Sequence, residues 1–320
     1  MGSKPVLSIV IPCKNEAQHL RKTLDALMRE QQYGHIADIT YVDNGSTDQS
    51  VAIAESYPIT VRQTVGTISK VRNTGVREST GEYFCFLDAD IEVCDGWSRE
   101  VVAIIRDQGP EAENLVFGDA YGLPADAGWI EKIWFKSLQK VISHINSGNM
   151  VMSRVLFEKL GGFDENLVTA EDYDICKRAV ALGAKIVITP QLRTVHYGYP
   201  GTLKDFYRRE KWHGLGMAKY LRSPYKSRPL LCAIITLTAP LVLTLVYLLL
   251  GTQALWVSII VPLVLSLLYC MKRLDRYLSR EPFQLWVLVV TYVLARTHSL
   301  VVILLRNNFN KESWKQKQKT

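Results

Sequence analysis

The first 200 residues alternate short apolar runs with segments in which apolar residues recur every three or four positions. Runs bounded by Gly, Pro or Asp predict buried strands, and helical spacing predicts amphipathic helices. The predicted strands cover residues 6–11, 39–42, 59–62, the run from Tyr83, 115–121, 150–152 and 185–189. Because strands alternate with helices, we expect an α/β fold with right-handed crossovers and a mostly parallel sheet.

The predicted helices cover residues 16–31, 69–79, 97–107, 129–142 and 171–182. A further helix is expected to begin at Ser46, because Ser46 and Gln49 have the spacing of a capping box. Its first amide groups would face the edge of the sheet where the second strand ends.

The run YFCFLDAD, residues 83–90, is the predicted central strand, and it ends in two carboxylates. Ligands of open α/β sheets bind at the carboxyl ends of the strands, so Asp88 and Asp90 are expected at a crevice. In an extended Asp-x-Asp the two side chains point the same way. Two hard oxygen ligands suit Mg²⁺ or Mn²⁺ and a bound diphosphate; the alternative is an acidic turn.

Charge is distributed unevenly along the chain. Residues 1–202 carry 20 Lys+Arg and 26 Asp+Glu, whereas residues 203–320 carry 18 and 5. The basic charges of the second part flank long apolar runs, which favours an anionic membrane surface over nucleic acid as the partner. The six cysteines form no C-x-x-C pair, so neither a zinc site nor a disulfide framework is predicted.

The apolar runs predict membrane segments near the C-terminus. Residues 229–271 contain no charged residue, which is enough for two transmembrane helices, at 230–250 and 255–271. The flanking Lys and Arg residues predict that the turn between the two helices lies outside and that the first domain is cytoplasmic. The short apolar segment after Met1 is too brief for a signal peptide, with the same consequence. We therefore expect a multi-pass protein of the inner (plasma) membrane.

A third apolar segment, residues 282–305, contains Arg296 and His298. A central Arg is costly in lipid, so an interfacial or re-entrant helix is favoured over a third span. The predicted organisation is a first, α/β domain (1–202), a basic amphipathic interface segment (203–228), two transmembrane helices (229–271), the 282–305 helix and a basic tail (306–320).

Six pieces of the first part together resemble the catalytic domain of the family 2 inverting glycosyltransferases, of the membrane-anchored bacterial type. They are SIVIPCKNE, VDNGSTD, VRNTG, FLDAD, GGFDE and EDYD, in the family's order and spacing. The resemblance covers residues 7–202 and implies a GT-A fold, which is Rossmann-like. Asn44 is a departure, because the family often has a second Asp there.

The resemblance implies that a nucleotide-diphosphate sugar, the donor, binds where the loop from Pro12 to Glu16 meets Asp43 and Asn44. Glu16 would accept hydrogen bonds from ribose hydroxyls and Asp43 from a base N–H, because ionised carboxylates are acceptors only.

For the diphosphate, the resemblance makes Asp90 the direct ligand of Mg²⁺ or Mn²⁺ and places Asp88 nearer the ribose. His196, in a predicted loop, is a candidate ligand from the opposite lip, with a surface histidine as the alternative. Arg72 is expected close to the diphosphate, with a solvated helix face as the alternative.

Asp172 is the candidate general base, because the family places the pair Glu171-Asp172 beside the acceptor hydroxyl. Repulsion from Asp164 and Glu171 would raise its pKa towards usefulness. The alternative for these acids is capping of the helix that they open. Phe163 and Asp164 are expected to shape the acceptor side, and a single base without an enzyme nucleophile implies inversion.

Residues 208–212, RREKW, resemble the family's Gln/Arg-x-x-Arg-Trp motif, whose Trp lies beside the acceptor end in processive relatives. Arg208, Lys211 and Trp212 are therefore candidate acceptor-side residues. Lys211 replaces the usual Arg, so the charge is kept without the bidentate fork. The alternative is a basic amphipathic helix lying on the bilayer, and both interpretations are compatible.

These observations predict a membrane-associated glycosyltransferase that acts on a hydroxyl of a lipid-linked saccharide in cell-envelope or exopolysaccharide synthesis. One alternative acceptor is a polyprenyl phosphate, which is already a nucleophile. An alternative of another class is a polysaccharide-conducting synthase or transporter, which two or three spans would form only as an oligomer.

Overall fold

The computed structural model describes residues 7–138, 144–250 and 281–317. The chain divides into two compact units. The described residues of the first lie in 7–127 and 144–199, and those of the second in 128–138, 200–250 and 281–317. Residues 128–138 thus belong with the C-terminal part, and the catalytic-domain boundary at 202 stays a prediction.

The first unit alternates strands and helices, as the sequence pattern predicts. Its strands are β1 (Leu7–Cys13), β2 (Ile36–Asp43), β3 (Thr60–Gln63), β4 (Tyr83–Leu87), β5 (Ile91–Val93), β6 (Leu115–Gly118), β7 (Asn149–Ser153), β8 (Lys185–Ile188) and β9 (Thr194–His196). Its helices are α1 (Leu20–Gln31), α2 (Ser50–Glu55), α3 (Ile68–Glu78), α4 (Trp97–Gln108), α6 (Arg154–Leu160) and α7 (Glu171–Ala181). A 3₁₀ helix covers Gly109–Asn114.

Seven strands form one sheet in the order β3-β2-β1-β4-β7-β6-β8. Every neighbouring pair is parallel except the two that involve β7, which runs antiparallel to β4 and β6. The predicted α/β class with a mostly parallel sheet is therefore confirmed. The strands β1 and β4 are buried along their whole length, which explains their nearly continuous apolar sequences.

Strand β1 continues two residues beyond the predicted end at Ile11. Pro12 pairs with Val42 of β2, while β4 pairs with β1 only as far as Val10. A proline lacks the N–H that a second neighbour would need, so it is tolerated where β1 has one partner strand. Pro12 therefore continues the strand, which runs on to the loop that carries Glu16.

A small second sheet was not expected from the sequence. Strand β5 pairs antiparallel with β9, and Ile91 lies opposite His196. The prediction of a loop at His196 is therefore wrong. Three-residue strands carry too little periodicity to be recognised, and this pairing joins segments about 100 positions apart in the sequence.

The second unit is helical in its described residues. It contains α5 (Trp129–Leu138), α8 (Leu203–Gly214), α9 (Arg228–Leu250) and α10 (Pro282–Lys317), with 3₁₀ turns at Leu215–Tyr220 and Pro224–Lys226. Trp134 of α5 packs edge-on against Phe206 of α8 at 4.9 Å between ring centroids. It also lies 5.3 Å from the ring of Tyr292 on α10.

Within the described ranges, one helical stretch is long and apolar enough to cross a membrane. It is Phe283–Leu305 in α10, 23 residues with a mean hydropathy of 2.0, and Arg228–Ala239 is a shorter apolar stretch. These residues do not support the predicted multi-pass arrangement. The predicted second span, at 255–271, lies outside the described residues. Helix α10 is continuous through Arg296, so the segment does not contain the break that a re-entrant segment would need.

The charge of Arg296 is balanced inside the second unit. Its guanidinium donates to Glu210 of α8 at 2.6 Å, and the two side chains are only 12% and 7% exposed. One turn away, Ser299 Oγ donates to the Lys211 carbonyl at 2.6 Å. The close approach depends on Gly214, where a Cβ atom would overlap the Ser299 hydroxyl. Glu210 thus compensates the charge of an Arg that lies in an apolar segment, and the sequence pattern does not reveal this partner.

We expect Glu210→Gln to destabilise the second unit, because it leaves the buried Arg296 charge without its carboxylate. Breaking a buried pair on one side costs about 3–5 kcal/mol. The measurement is the midpoint of thermal unfolding of the full chain in detergent.

The matched control is Glu111→Gln, which removes a carboxylate from the exposed Lys185–Glu111 pair, 3.3 Å apart and 67% and 68% exposed. Exposed pairs contribute only about 0–1 kcal/mol, so this midpoint should hardly move. The double variant Glu210→Leu with Arg296→Leu should recover much of the loss. Equal midpoints for Glu210→Gln and the control would refute the assignment.

Candidate active site

The loops after β1 and β2 are hydrogen-bonded to each other. The Asn15 N–H donates to Ser46 Oγ at 2.9 Å, and Asn15 Oδ1 accepts from the Thr47 N–H at 2.7 Å. The Ala17 N–H donates to Asp48 Oδ2 at 3.0 Å. Asn15 has a φ of +58°, a conformation that Asn tolerates better than most residues. These contacts fix the backbone on which Glu16 stands.

The predicted capping box at Ser46 does not form. Helix α2 begins at Ser50, and Gln49 occupies the N-cap without a side-chain hydrogen bond. Asp48 instead accepts from the Ser50 N–H at 3.0 Å and from its hydroxyl at 2.6 Å. Ser46 is used by the β1 loop, which explains why the local sequence pattern misplaced the helix start.

Asp43 and Asn44 hold the β2 loop in shape. Asp43 is 2% exposed, and its Oδ2 accepts from the N–H groups of Gly45 and Ser46, both at 2.9 Å. Asn44 exchanges two hydrogen bonds with Gly66, donating to its carbonyl at 3.1 Å and accepting from its N–H at 2.9 Å. An Asp at position 44 could accept from the Gly66 N–H but could not donate to its carbonyl, so this two-way pairing requires the amide of Asn44.

Asp88 and Asp90 lie on a turn between β4 and β5 and not on an extended strand. The Ile91 N–H donates to the Asp88 carbonyl at 3.1 Å, which closes the turn. Asp88 contacts Arg72, whereas Asp90 Oδ2 lies 3.5 Å from Nε2 of His196. The backbone here is therefore not extended as expected, because the strand ends at Leu87, but both carboxylates still act on Glu16. His196, 6% exposed, also stacks on Tyr199 with centroids 3.8 Å apart.

Arg72 is a buried cation between two carboxylates. Its Nη2 donates to Asp88 Oδ1 and its Nη1 to Glu171 Oε1, both at 2.7 Å. The side chain is 3% exposed, so the solvated helix face considered from the sequence does not exist. Glu171 also accepts from the Ser147 hydroxyl at 3.2 Å. Arg72 thereby ties the end of β4 to the start of α7.

The carboxylates at this edge repel one another. Burial, followed by repulsion from Asp90 and Asp88, raises the pKa of Glu16 to about 8. Burial also raises the pKa of Asp88, and Asp90 adds to that rise while Arg72 opposes it. Hard oxygen donors with mutual repulsion fit a divalent cation bound through one or two carboxylates and substrate phosphates. Among the described residues, no group of three or more His, Cys, Asp or Glu side chains has the arrangement of a metal site.

Asp172 lies at the first turn of α7, where its side chain is 21% exposed. Its Oδ1 accepts from the Tyr173 N–H at 2.7 Å, and its Oδ2 lies 3.8 Å from Nε2 of His144. Burial and repulsion from Glu171 raise its pKa to about 6. Glu171 contributes to this rise as expected, but burial is the largest cause and Asp164 is not among the causes. His144 had no role in the sequence analysis, because a lone histidine carries no pattern.

The two residues expected on the acceptor side have structural contacts. Phe163 is 2% exposed and packs edge-on against Phe86 with centroids 5.0 Å apart. Asp164 accepts from both nitrogens of Asn166, at 3.0 and 2.9 Å. Asn73, which the sequence analysis did not single out, exchanges hydrogen bonds with the Phe163 backbone at 2.9 and 3.0 Å. A role for Phe163 and Asp164 in acceptor binding stays a prediction.

The remaining acceptor-side candidates, Arg208, Lys211 and Trp212, lie on α8 in the second unit. Trp212 is 44% exposed, and the Arg208 guanidinium pairs with Asp205 at 3.3 Å. The buried residues of α8 are Phe206, Glu210 and Gly214. Trp212 therefore lies outside the buried face, in the same helix as the basic side chains of Arg208 and Lys211.

Two glycines allow the backbone to approach the acidic turn. A Cβ atom at Gly198 would overlap the Asp90 carboxylate, and one at Gly148 would overlap Asp88 and the Tyr121 hydroxyl. The Gly148 N–H donates to that hydroxyl at 3.1 Å. Tyr121 and both glycines belong to the site but could not be recognised, because their contacts come from distant parts of the chain.

The chain matches two models of glycosyltransferase families. One is glycosyl transferase family 2, over residues 8–161, and the other is glycosyl transferase family group 2, over residues 116–297. The second match alone covers more than half of the chain.

Curated relatives include three bacterial proteins with limited identity. The amylovoran biosynthesis glycosyltransferase AmsB of Erwinia amylovora is 28% identical over 208 residues, 58% of this chain and 67% of that protein. The O-antigen biosynthesis protein RfbC of Myxococcus xanthus is 27% identical over 224 residues, 60% of this chain and 17% of that protein. The pre-mycofactocin glycosyltransferase of Mycobacterium tuberculosis is 25% identical over 242 residues, 70% of this chain and 49% of that protein. The chain thus spans less than half the length of the latter two relatives.

A solved mannosyltransferase from Pyrobaculum calidifontis, in complex with GDP-Man and Mn²⁺, has a similar fold. It matches with a TM-score of 0.58 and 20% identity, over 94% of this chain and 87% of that chain. The similarity shows that the fold is GT-A-like.

We expect Gly198→Ala to displace the Asp90 carboxylate while the fold is retained, because the added methyl group would occupy the position of an Asp90 oxygen. A misplacement of about 1 Å at a reacting site can cost on the order of 10² in rate. The measurement is turnover of a nucleotide sugar, together with titration of the nucleoside diphosphate in the presence of Mn²⁺.

Gly201→Ala is the matched control, because a Cβ atom there would meet nothing within 4 Å. It should bind and turn over like the parent protein. Equal activity of the two variants would show that the position of Asp90 does not matter for the reaction.

Proposed function

The chain belongs to glycosyl transferase family group 2, and its first part also matches the family 2 model. We propose that it transfers a sugar from a nucleotide-diphosphate donor, with inversion, to a hydroxyl of a lipid-linked saccharide. One observation carries the proposal. The Asp88–Asp90 turn and the Asp172 carboxylate lie on different elements, and Arg72 links the two, with hydrogen bonds of 2.7 Å to Asp88 and to Glu171, the neighbour of Asp172. This arrangement offers a place for a leaving diphosphate and a base for the attacking hydroxyl.

On the donor side, Asp90, Asp88 and His196 are the proposed ligands of Mg²⁺ or Mn²⁺. A bound divalent cation would neutralise negative charge on the leaving diphosphate as a Lewis acid. The raised pKa values of Glu16 and Asp88 come first from burial, but neighbouring carboxylates contribute to both, and a bound cation would offset that repulsion. Asp43 and Asn44 shape the loop proposed to hold the nucleotide, and Arg72 keeps Asp88 in place.

On the acceptor side, Asp172 is the proposed general base. The acceptor oxygen forms a bond to the anomeric carbon, the bond from that carbon to the diphosphate oxygen breaks, and the hydroxyl proton moves to Asp172. A base must be ionised to accept this proton, and a pKa of about 6 leaves Asp172 ionised at neutral pH but basic enough to act. One displacement inverts the anomeric centre.

The proposed acceptor is attached to a lipid, and the proposed location is the plasma membrane with a cytoplasmic catalytic domain. The apolar stretch Phe283–Leu305 supports membrane association. The exposed Trp212 and the basic residues Arg208 and Lys211 of α8 suit an interface with anionic headgroups or with a lipid diphosphate. The names of the relatives that make O-antigen and amylovoran are consistent with a role in polysaccharide synthesis.

We expect Asp172→Asn to lower transfer by a factor on the order of 10² to 10⁴, the usual contribution of general-base catalysis. Donor binding should be nearly unchanged. In the parent protein, transfer should fall as the pH decreases through about 6, because Asp172 is then protonated. The measurement is the transfer rate from about pH 5 to 8 with the native lipid fraction, alongside the donor dissociation constant.

Asp174→Asn is the control, since Asp174 is a carboxylate of the same helical turn whose partner is Arg178 at 2.7 Å. It should retain transfer. If Asp172→Asn keeps more than about a tenth of parental turnover, the loss of rate is smaller than general-base catalysis usually contributes, and Asp172 is not the base. That result would instead favour a polyprenyl phosphate acceptor, which is anionic without a base.

A further inference from the structure

The Asp172 carboxylate has two different surroundings. Its Oδ1 is occupied by the Tyr173 N–H at 2.7 Å, within its own helix. Its Oδ2 lies 3.8 Å from Nε2 of His144, whose imidazole is 28% exposed. The ring of His144 stands edge-on to the ring of Tyr173, with centroids 5.6 Å apart. The imidazole therefore has a defined position beside the one oxygen of Asp172 that the helix leaves to the site.

The other ionisable groups around Asp172 are poorly suited to exchange a proton with it. Glu171 is held by Arg72 at 2.7 Å and by Ser147 at 3.2 Å. The Arg72 guanidinium does not lose its proton. Burial raises the pKa of the Cys176 thiol to about 12 and raises the pKa of the Tyr121 hydroxyl well above its usual value. Of these described neighbours, His144 is the one whose ring nitrogens can either accept or donate a proton.

We propose that His144 is the proton-relay partner of Asp172: it orients Oδ2 towards the acceptor and receives the proton that Asp172 takes from the acceptor hydroxyl. This inference rests on the proposed role of Asp172. His144 acts through Asp172 and not on the substrate, so it is a positioning residue.

As the glycosidic bond forms and the bond to the diphosphate breaks, the acceptor O–H proton moves to Asp172 Oδ2. Neutral His144 then accepts this proton at Nε2, which restores the carboxylate and leaves an imidazolium. The imidazolium gives the proton to water, which its partial exposure allows. The separation of 3.8 Å exceeds a hydrogen bond, so a short approach of the two side chains precedes the transfer.

Two effects of the imidazole on Asp172 can be separated by pH. Its positive form lowers the pKa of Asp172, against burial and the repulsion of Glu171, which raise it. Removing it should therefore shift the acidic limb of the rate profile to higher pH. Removing the relay should also lower the maximal rate at pH values where Asp172 is already ionised.

The test compares His144→Asn and His144→Ala with the parent protein and with His35→Asn, all in the full chain. His35 precedes β2, at the opposite end of that strand from Asp43, and serves as the matched histidine control. The readouts are kcat and the donor KM across pH, with and without free imidazole in the buffer. Thermal unfolding and nucleoside diphosphate binding check the fold.

We expect both His144 variants to lose about tenfold or more in kcat, the lower part of what a proton-transfer group contributes, with an unchanged donor KM. Their acidic limb should move upwards, and added imidazole should restore part of the kcat of His144→Ala but not of Asp172→Asn. His35→Asn should behave like the parent.

An unchanged pH profile in the His144 variants, or a loss of rate that imidazole does not relieve, would overturn the relay. Should Asp172→Asn slow transfer while both His144 variants retain it, the relay fails and the base assignment stands. Should Asp172→Asn leave transfer intact, the proposed function of Asp172 fails with it.

Discussion

The contacts of Arg72 are the constraint on which the site depends. A buried guanidinium is tolerated only when carboxylates compensate its charge, because removing a charge from water costs several kcal/mol. Arg72 satisfies this condition with hydrogen bonds of 2.7 Å to Asp88 and to Glu171. Each carboxylate lies next to a proposed functional element: Asp88 opens the turn of Asp90, and Glu171 precedes Asp172. The same ion pairs that stabilise the interior therefore set the distance between the two halves of the site.

The acidic residues of the first unit fall into two groups with different surroundings. Asp43 and Asp48 accept several hydrogen bonds from nearby N–H and hydroxyl groups, and they shape loops. Glu16, Asp88 and Asp172 have raised pKa values, for which burial is the first cause and neighbouring acids the second or third. Raised values of this kind concentrate at functional sites, because an acid whose pKa is raised towards the working pH can exchange protons during a reaction.

The sequence predicts the sheet well, because its central strands β1, β4, β7 and β6 are buried apolar runs. It also predicts which residues reach the carboxyl edge, since Asp43 and Asp88 directly end or follow strands. It does not predict their partners. The Arg72–Glu171 bond joins positions 99 apart, and the pairing of β5 with β9 joins segments of similar separation. The partner of Arg296 was missed for the same reason, because hydropathy describes a segment and not the residue that it contacts.

The central claim is that the sugar is transferred in a single displacement at this edge of the sheet. Asp172 acts as the base, and no side chain of the enzyme acts as a nucleophile. The stereochemistry of the first product tests it most directly. The purified chain, reconstituted in membranes, would receive a donor of known anomeric configuration. ¹H NMR would record the configuration of the newly formed linkage before the product equilibrates. The account predicts inversion at the anomeric carbon. Retention would contradict it, because retention requires a second displacement or a front-face mechanism that the proposed roles of Asp172 and its neighbours do not provide.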